Sequence, residues 1–216
     1  VNRPDQSAAG VPDVDAAITT RELGKMIKQA GIDFVAMDDE KFDDPFDIGS
    51  GAGVIFGATG GVMEAALRTA AEVILGTPLE KLEFEDVRGT EGIKLASYKL
   101  GDLTVNVAVT SGTGNAKKLL KAVQAGEIKA DFIEVMACPG GCVNGGGQPY
   151  QPAVVRNNVD LRALRASVLY TADKKMDLRK SHENSAVKKL YEEYFGEPNS
   201  HKAHEILHTS HVKRGL

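Results

Sequence analysis

The side chains best suited to bind metal in this 216-residue sequence are its two cysteines, Cys138 and Cys142, four positions apart. Pro139, Gly140 and Gly141 separate them, and Gly145, Gly146 and Gly147 follow. Proline lacks an N–H and glycine adopts left-handed backbone freely, so this insert excludes a regular helix or strand. The chain can then curl both sulfurs towards one centre, and the glycines let that centre approach main-chain N–H groups that stabilise thiolates and sulfides. That is half of a metal site. Two blander readings fit the same residues. One is a reduced, buried pair in a tight turn, since Cys is among the most buried residue types. The other is a disulfide, which a composition without a cysteine framework disfavours. The glycine density tips the balance to the metal, because a buried pair has no use for it.

The elements that must position this stretch are legible on either side. Phe132, Ile133, Val135 and Met136 read as a short strand running into Cys138. Leu103 to Val109 is strongly β-forming, and Ser111-Gly112-Thr113-Gly114-Asn115 turns it into a helix over 116–125. Val54-Ile55-Phe56 reads as a buried strand, Gly57 to Gly61 as its turn, and Val62 to Leu75 as a helix stopped by Gly76. Three times, therefore, a strand ends in a Gly-rich turn. The expected fold class is α/β, a parallel sheet with flanking helices and a helical C-terminal extension. Ligands of such sheets sit at the carboxyl ends of the strands. The Phe56 turn and the cysteine turn are expected to share that crevice.

Other segments carry weaker signals. Residues 1–16 read as loop, and Ala17-Ile18 as a strand end. Thr19 and Glu22 have the spacing of a capping box before a helical stripe of Leu23, Met26 and Ile27 that ends at Gly31. The acidic run 37–53 lacks the regular ligand spacing of a calcium loop and reads as solvated. The Gly57–Gly61 turn could cradle a nucleotide, but it is neither G-x-G-x-x-G nor a P-loop. Ser111 and Thr113 read as turn and cap residues rather than nucleophiles. Residues 77–102 read as irregular chain or an edge strand. Beyond Gln151 the stretches 159–172, 184–195 and 199–209 are expected to be helical. All five histidines fall in this tail, at His182, His201, His204, His208 and His211. Their spacing permits a metal on one helix face, although no acidic or thiol partner is placed beside them.

Composition sets the limits. A hydrophobic content of 42% supports a real core, and 26% charged residues is ordinary for a globular protein. A net charge of −4 and a pI near 5.8 argue against nucleic acid as a partner. No apolar run approaches a membrane span and no signal peptide opens the chain, so a cytoplasmic setting is expected. The first residues, Val1-Asn2-Arg3, lack an initiating Met and read as the middle of a longer protein.

The stretch E-V-M-A-C-P-G-G-C-V-N-G-G-G-Q-P, residues 134–149, closely resembles the last cluster-binding signature of the iron-only (FeFe) hydrogenases. I-F-G-A-T-G-G-V-M-E-A-A-L resembles a family stretch beside the active site. L-Y-T-A-D, R-K-S-H-E-N, L-Y-E-E-Y-F-G-E-P and A-H-E-I-L-H-T resemble the small subunit. The resemblance covers roughly residues 50 to 210. It implies a C-terminal catalytic lobe over 1–150, fused to a small-subunit-like wrapping segment over 151–216. Cys138 would ligate a 4Fe-4S cluster, and Cys142 would bridge it to a di-iron centre, the two together forming the H-cluster. Met136, Phe56, Gly57 and Val62 would line the pocket. The implied reaction is the reversible interconversion of H2 with protons and electrons. The remaining ligands would come from an upstream half of the catalytic domain, leaving the cofactor absent or incomplete on this chain alone. An electron carrier, such as ferredoxin or a nicotinamide-linked subunit, would act through missing domains. Under this resemblance His182, His204 and His208 serve packing and hydrogen bonding. Two other functions fit: a hydrogenase-like iron–sulfur assembly factor, or a small-molecule or nucleotide-binding α/β domain.

Overall fold

The computed structural model describes residues 10–41, 43 and 49–208. The expectations for residues 1–9, for parts of the acidic run 37–53 and for His211 lie wholly or partly outside them. Helix α1, Thr20–Gln29, begins at the expected capping box: Thr19 Oγ1 accepts from the Glu22 N–H, and the Thr19 N–H donates back to Glu22 Oε2 at 2.6 Å.

The Val54-Ile55-Phe56 strand is not there. Helix α2, Gly51–Val54, starts at an Ser50 cap and runs into a 3-10 turn at Ile55–Gly57. A three-residue apolar run carries no periodicity that separates buried strand from buried helix. Here burial between two helices decides: Ala52 and Ile55 are fully buried, and the Gly51 N–H donates to Leu178 O at 2.8 Å. The following helix, α3, spans Gly61–Leu75 and ends, as expected, on a left-handed Gly76.

Among the described residues the sheet has three strands, β1 (Ile93–Leu100), β2 (Leu103–Ser111) and β3 (Phe132–Met136), in that order. β1 and β2 form an antiparallel hairpin, whereas β2 and β3 run parallel with Ser111 opposite Met136. The α/β class with flanking helices stands, but the sheet is mixed, because the edge strand β1 turns straight back through Gly101-Asp102 without a crossover. Helix α4, Thr113–Gln124, supplies the crossover between the parallel pair. Met63 and Leu67 of α3 pack on Val107 and Val109 of β2 and on Val87, with Phe84 and Tyr98 edge to face at 5.0 Å.

The tail forms short α5 (Ala153–Asn158), long α6 (Leu161–Lys175), α7 (Ser185–Leu190) continued by a π turn at Tyr191–Phe195, and α8 (His201–Leu207). No helix among the described residues is long and apolar enough to cross a membrane.

A buried ionic network ties this tail to α3. Arg68 has no exposed side-chain surface. Its guanidinium donates to both oxygens of Asp173 on α6 (2.9 and 2.8 Å), to Glu64 (2.8 Å), and to the carbonyls of Leu82 and Arg179 (2.9 Å each). Those five bonds use its full donor set. Arg88 closes on Glu64 at 2.6 Å, and Arg179 links Asp173 (2.7 Å) to Glu83 (2.9 Å).

Candidate functional site

The cysteine loop starts where β3 ends, at the carboxyl end of the parallel pair β2–β3. Gly140 and Gly141 both have left-handed φ, +84° and +95°. The Gly141 N–H donates back to Cys138 O at 3.0 Å, and a 3-10 turn over Cys142–Asn144 follows. Both thiols are free and exposed. The buried-pair and disulfide readings therefore fall away.

Four parts of the chain hold this loop. From β2, Ser111 Oγ accepts from the Gly140 N–H at 3.3 Å. From the Phe56 turn, the Thr59 N–H donates to Gly140 O at 3.1 Å. From α6, Arg165 donates to Val143 O at 3.1 Å and Pro149 O at 3.4 Å. From α1, Arg21 donates to Gly146 O at 2.5 Å and stacks over Tyr150 at 4.0 Å. A loop rich in glycine has large conformational entropy to lose, so this many tethers are needed to give it one shape.

The contact between the two turns is close. A Cβ on Gly141 would lie 2.7 Å from both Gly57 O and Thr59 N. Gly141→Ala should therefore cost about 1–3 kcal/mol from the left-handed backbone alone, and more from the collision. A urea midpoint equal to that of the wild type would refute so tight an apposition.

The structure places each expected site residue on one of these two turns or beside them. Phe56, 44% exposed, and Gly57 sit on the 3-10 turn facing the cysteine loop, with Val62 two residues into the first turn of α3. Met136 is the last residue of β3, its carbonyl accepting from the Gly112 N–H at 2.8 Å.

Sequence reading missed Glu134. It is a buried carboxylate within an otherwise apolar strand, and it caps α3 from outside that helix. Its Oε1 accepts from the Gly60 N–H at 2.6 Å and its Oε2 from the Met63 N–H at 2.7 Å. A carboxylate at a helix N-terminus satisfies orphan donors and meets the positive end of the dipole. It also takes up donors that a phosphate would use, which removes the physical basis of the nucleotide-cradle reading of Gly57–Gly61. The signal available was a charge at the inward-facing position of β3.

Among the described residues the histidines do not gather into a metal site. His182 bridges Thr69 Oγ1 (2.9 Å) and Glu72 Oε2 (2.8 Å), and His204 stacks on His208 with ring centroids 4.6 Å apart. Glu72, His182 and Glu183 do approach one another. Lys180 already holds that position, donating to Glu72 at 2.9 Å and Glu183 at 2.5 Å. Burial would raise the Glu72 carboxyl, but the Leu79 N–H, Lys180 and His182 together bring it down to about 2.

The family profile of the iron only hydrogenase large subunit, C-terminal domain, matches residues 1–146, and that of the iron hydrogenase small subunit matches 159–214. This chain belongs to the iron-only hydrogenase family. It is 51% identical over 212 residues to an NADP-reducing hydrogenase subunit of Solidesulfovibrio fructosivorans, covering 98% of this chain and 35% of the relative. Iron hydrogenase 1 of Clostridium pasteurianum is 50% identical over 212 residues, 98% of this chain and 37% of that protein. The chain thus spans about a third of the length of these relatives. An FeFe-hydrogenase structure on stepwise H-cluster assembly superposes with a TM-score of 0.74 at 42% identity, covering 99% of this chain and 60% of that one. A more distant cytosolic Fe-S cluster assembly factor of Xenopus tropicalis is 28% identical over 204 residues, 92% of this chain and 41% of the relative.

An iron–sulfur cluster takes four thiolates. The donor set on this chain is two exposed, unpaired thiols on one glycine-hinged loop. It fits such a cluster in kind and supplies half of it in number.

Proposed function

We propose that this chain contributes one wall and two thiolates to a hydrogen-converting active site, within residues 1–150 as a catalytic lobe wrapped by 151–216. The boundaries of the two family matches, at 146 and 159, support that division. Cys138 serves as a 4Fe-4S ligand. Cys142 serves as the thiolate shared between that cluster and a di-iron centre. Phe56, Gly57, Val62 and Met136 line the pocket and keep water from it. When bound, the metal group supplies the redox chemistry of 2H⁺ + 2e⁻ ⇌ H2. The protein's part is to fix two sulfurs, exclude solvent and set the local charge. The remaining ligands come from the portion of the relatives that this chain does not span. Electrons come from a carrier such as ferredoxin or a nicotinamide-linked subunit. A cytoplasmic, reducing setting is consistent with both thiols being free.

The observation that carries this reading is the apposition of an exposed Cys-Pro-Gly-Gly-Cys loop with the Phe56–Gly57 turn at the carboxyl end of β2 and β3. The assembly-factor reading shares the cysteines but makes no hydrogen. Infrared bands of carbonyl and cyanide ligands in the enzyme with its complete ligand set support the hydrogenase, and a cluster without such bands supports the assembly factor.

Alone, the chain should not hold an intact cluster. Two thiolates leave half the coordination to water or oxygen ligands, which makes the iron labile. The open apolar side around Phe56 favours association as well. Anaerobic reconstitution followed by iron and sulfide analysis checks this, with a substoichiometric, unstable cluster expected. A stoichiometric 4Fe-4S cluster on monomeric chain would overturn it.

A further inference from the structure

We propose that Lys94 and Glu134, opposite charges buried on two sides of the turn that backs the cysteine loop, jointly set the reduction potential of the cluster held there. This rests on the cluster reading above. Lys94 projects from β1 and is 8% exposed. Its ammonium donates to Thr59 O at 3.3 Å and Gly89 O at 2.9 Å. Among the described residues no carboxylate lies within ion-pair distance of it. Glu134, 6% exposed, grips the same turn from β3 through the Gly60 and Met63 N–H groups. The two charges thus hold opposite ends of one peptide, Lys94 its Thr59 carbonyl and Glu134 its Gly60 N–H.

An ammonium buried with only carbonyl partners is costly, because water solvates it better. Burial pushes the Lys94 ammonium down from its usual pKa, and the field of Glu134 opposes that shift. The two charges are therefore felt across the turn.

Both are also close to the cysteines. Thr59, whose carbonyl Lys94 holds, donates its own N–H to Gly140 O between the two cysteines. Glu134 precedes Cys138 by four residues, at most about 13 Å of extended chain. Buried charges at such range are poorly screened by salt. Cluster potentials respond to net charge and to hydrogen bonding around the sulfurs. Reduction adds one negative charge to the cluster, so Lys94 favours the reduced form and Glu134 the oxidised form.

The test is a redox titration of the cluster's one-electron couple, poised with dithionite and read by electron paramagnetic resonance, in the hydrogenase carrying its complete ligand set. Lys94→Met should move the potential negative, and Glu134→Gln should move it positive. The double variant should return towards the wild-type value, and Lys94→Arg, which keeps the charge, should leave it unchanged. A scaffolding role alone would not reverse sign with charge. Shifts in the same direction, no shift with the cluster signal intact, or cluster loss in both single variants would each overturn the inference. A wild type without any cluster signal would instead overturn the reading of the loop itself, and the inference with it.

Discussion

Cys142→Ser should abolish hydrogen turnover in the enzyme that carries the complete ligand set, and Cys138→Ser should disturb or remove its 4Fe-4S cluster. Iron bound to sulfide prefers a soft thiolate, and a serine hydroxyl is a hard donor that is protonated at neutral pH. The expected asymmetry follows from position. Cys142 is the thiolate proposed to serve two metal units, so its loss separates them, whereas Cys138 is proposed to serve one. Folding is not the confounding cause, since both side chains are exposed and contribute nothing to the core. Substitution at such sites changes stability by no more than about 0.5 kcal/mol. Iron and sulfide content, infrared bands and hydrogen evolution are measured together on each variant. Evolution close to wild type in either would contradict the assignment.

The second large effect is on stability. Arg68→Met should destabilise the fold by about 3–5 kcal/mol, the usual result of removing one partner from a buried ionic group. At about 2–4 °C per kcal/mol for a chain of this size, that lowers the melting temperature by roughly 6–20 °C. The cause is that Glu64 and Asp173, which have no exposed side-chain surface, lose a cation that satisfied both. Differential scanning calorimetry reads the shift, and a drop of less than about 1 kcal/mol would show that water reaches the two carboxylates.

The same network gives the wild type an acid limit. Burial would raise the Asp173 carboxyl, but hydrogen bonds and charge from Arg68 and Arg179 hold it down at about 2. A folded-state pKa below the unfolded one, near 3.9, gives stability that is complete above that value and is lost as pH falls towards 2. The acid slope of the melting temperature should therefore be shallower in Arg68→Met, because Asp173 then keeps only Arg179.

Much of the site was written locally. The Thr19–Glu22 box, the Gly76 stop and the Phe132–Met136 strand are short-range patterns, and each formed as its residues dictate. The cysteine loop is of the same kind. Its proline and paired glycines forbid regular structure whatever surrounds them, so an irregular turn presenting two thiols is a property of the sequence itself.

The misread segment shows the limit of that logic. Val54-Ile55-Phe56 has the composition of a strand, yet it closes a short helix, because α3 and α6 enclose it. The mixed sheet has the same origin, since alternation along β1 says which face is buried and nothing about the direction of its neighbour.

By itself, the sequence determined the family, the pair of thiols and the glycine-hinged backbone that presents them. Only the tertiary structure decided what stands behind that loop. Glu134 meets its two donors across 74 and 71 residues, and Arg68 meets Asp173 across 105. No periodicity or spacing encodes such pairs. A buried charge is tolerable only where opposite charge or aligned dipoles converge on it, and that convergence exists only once distant segments have packed.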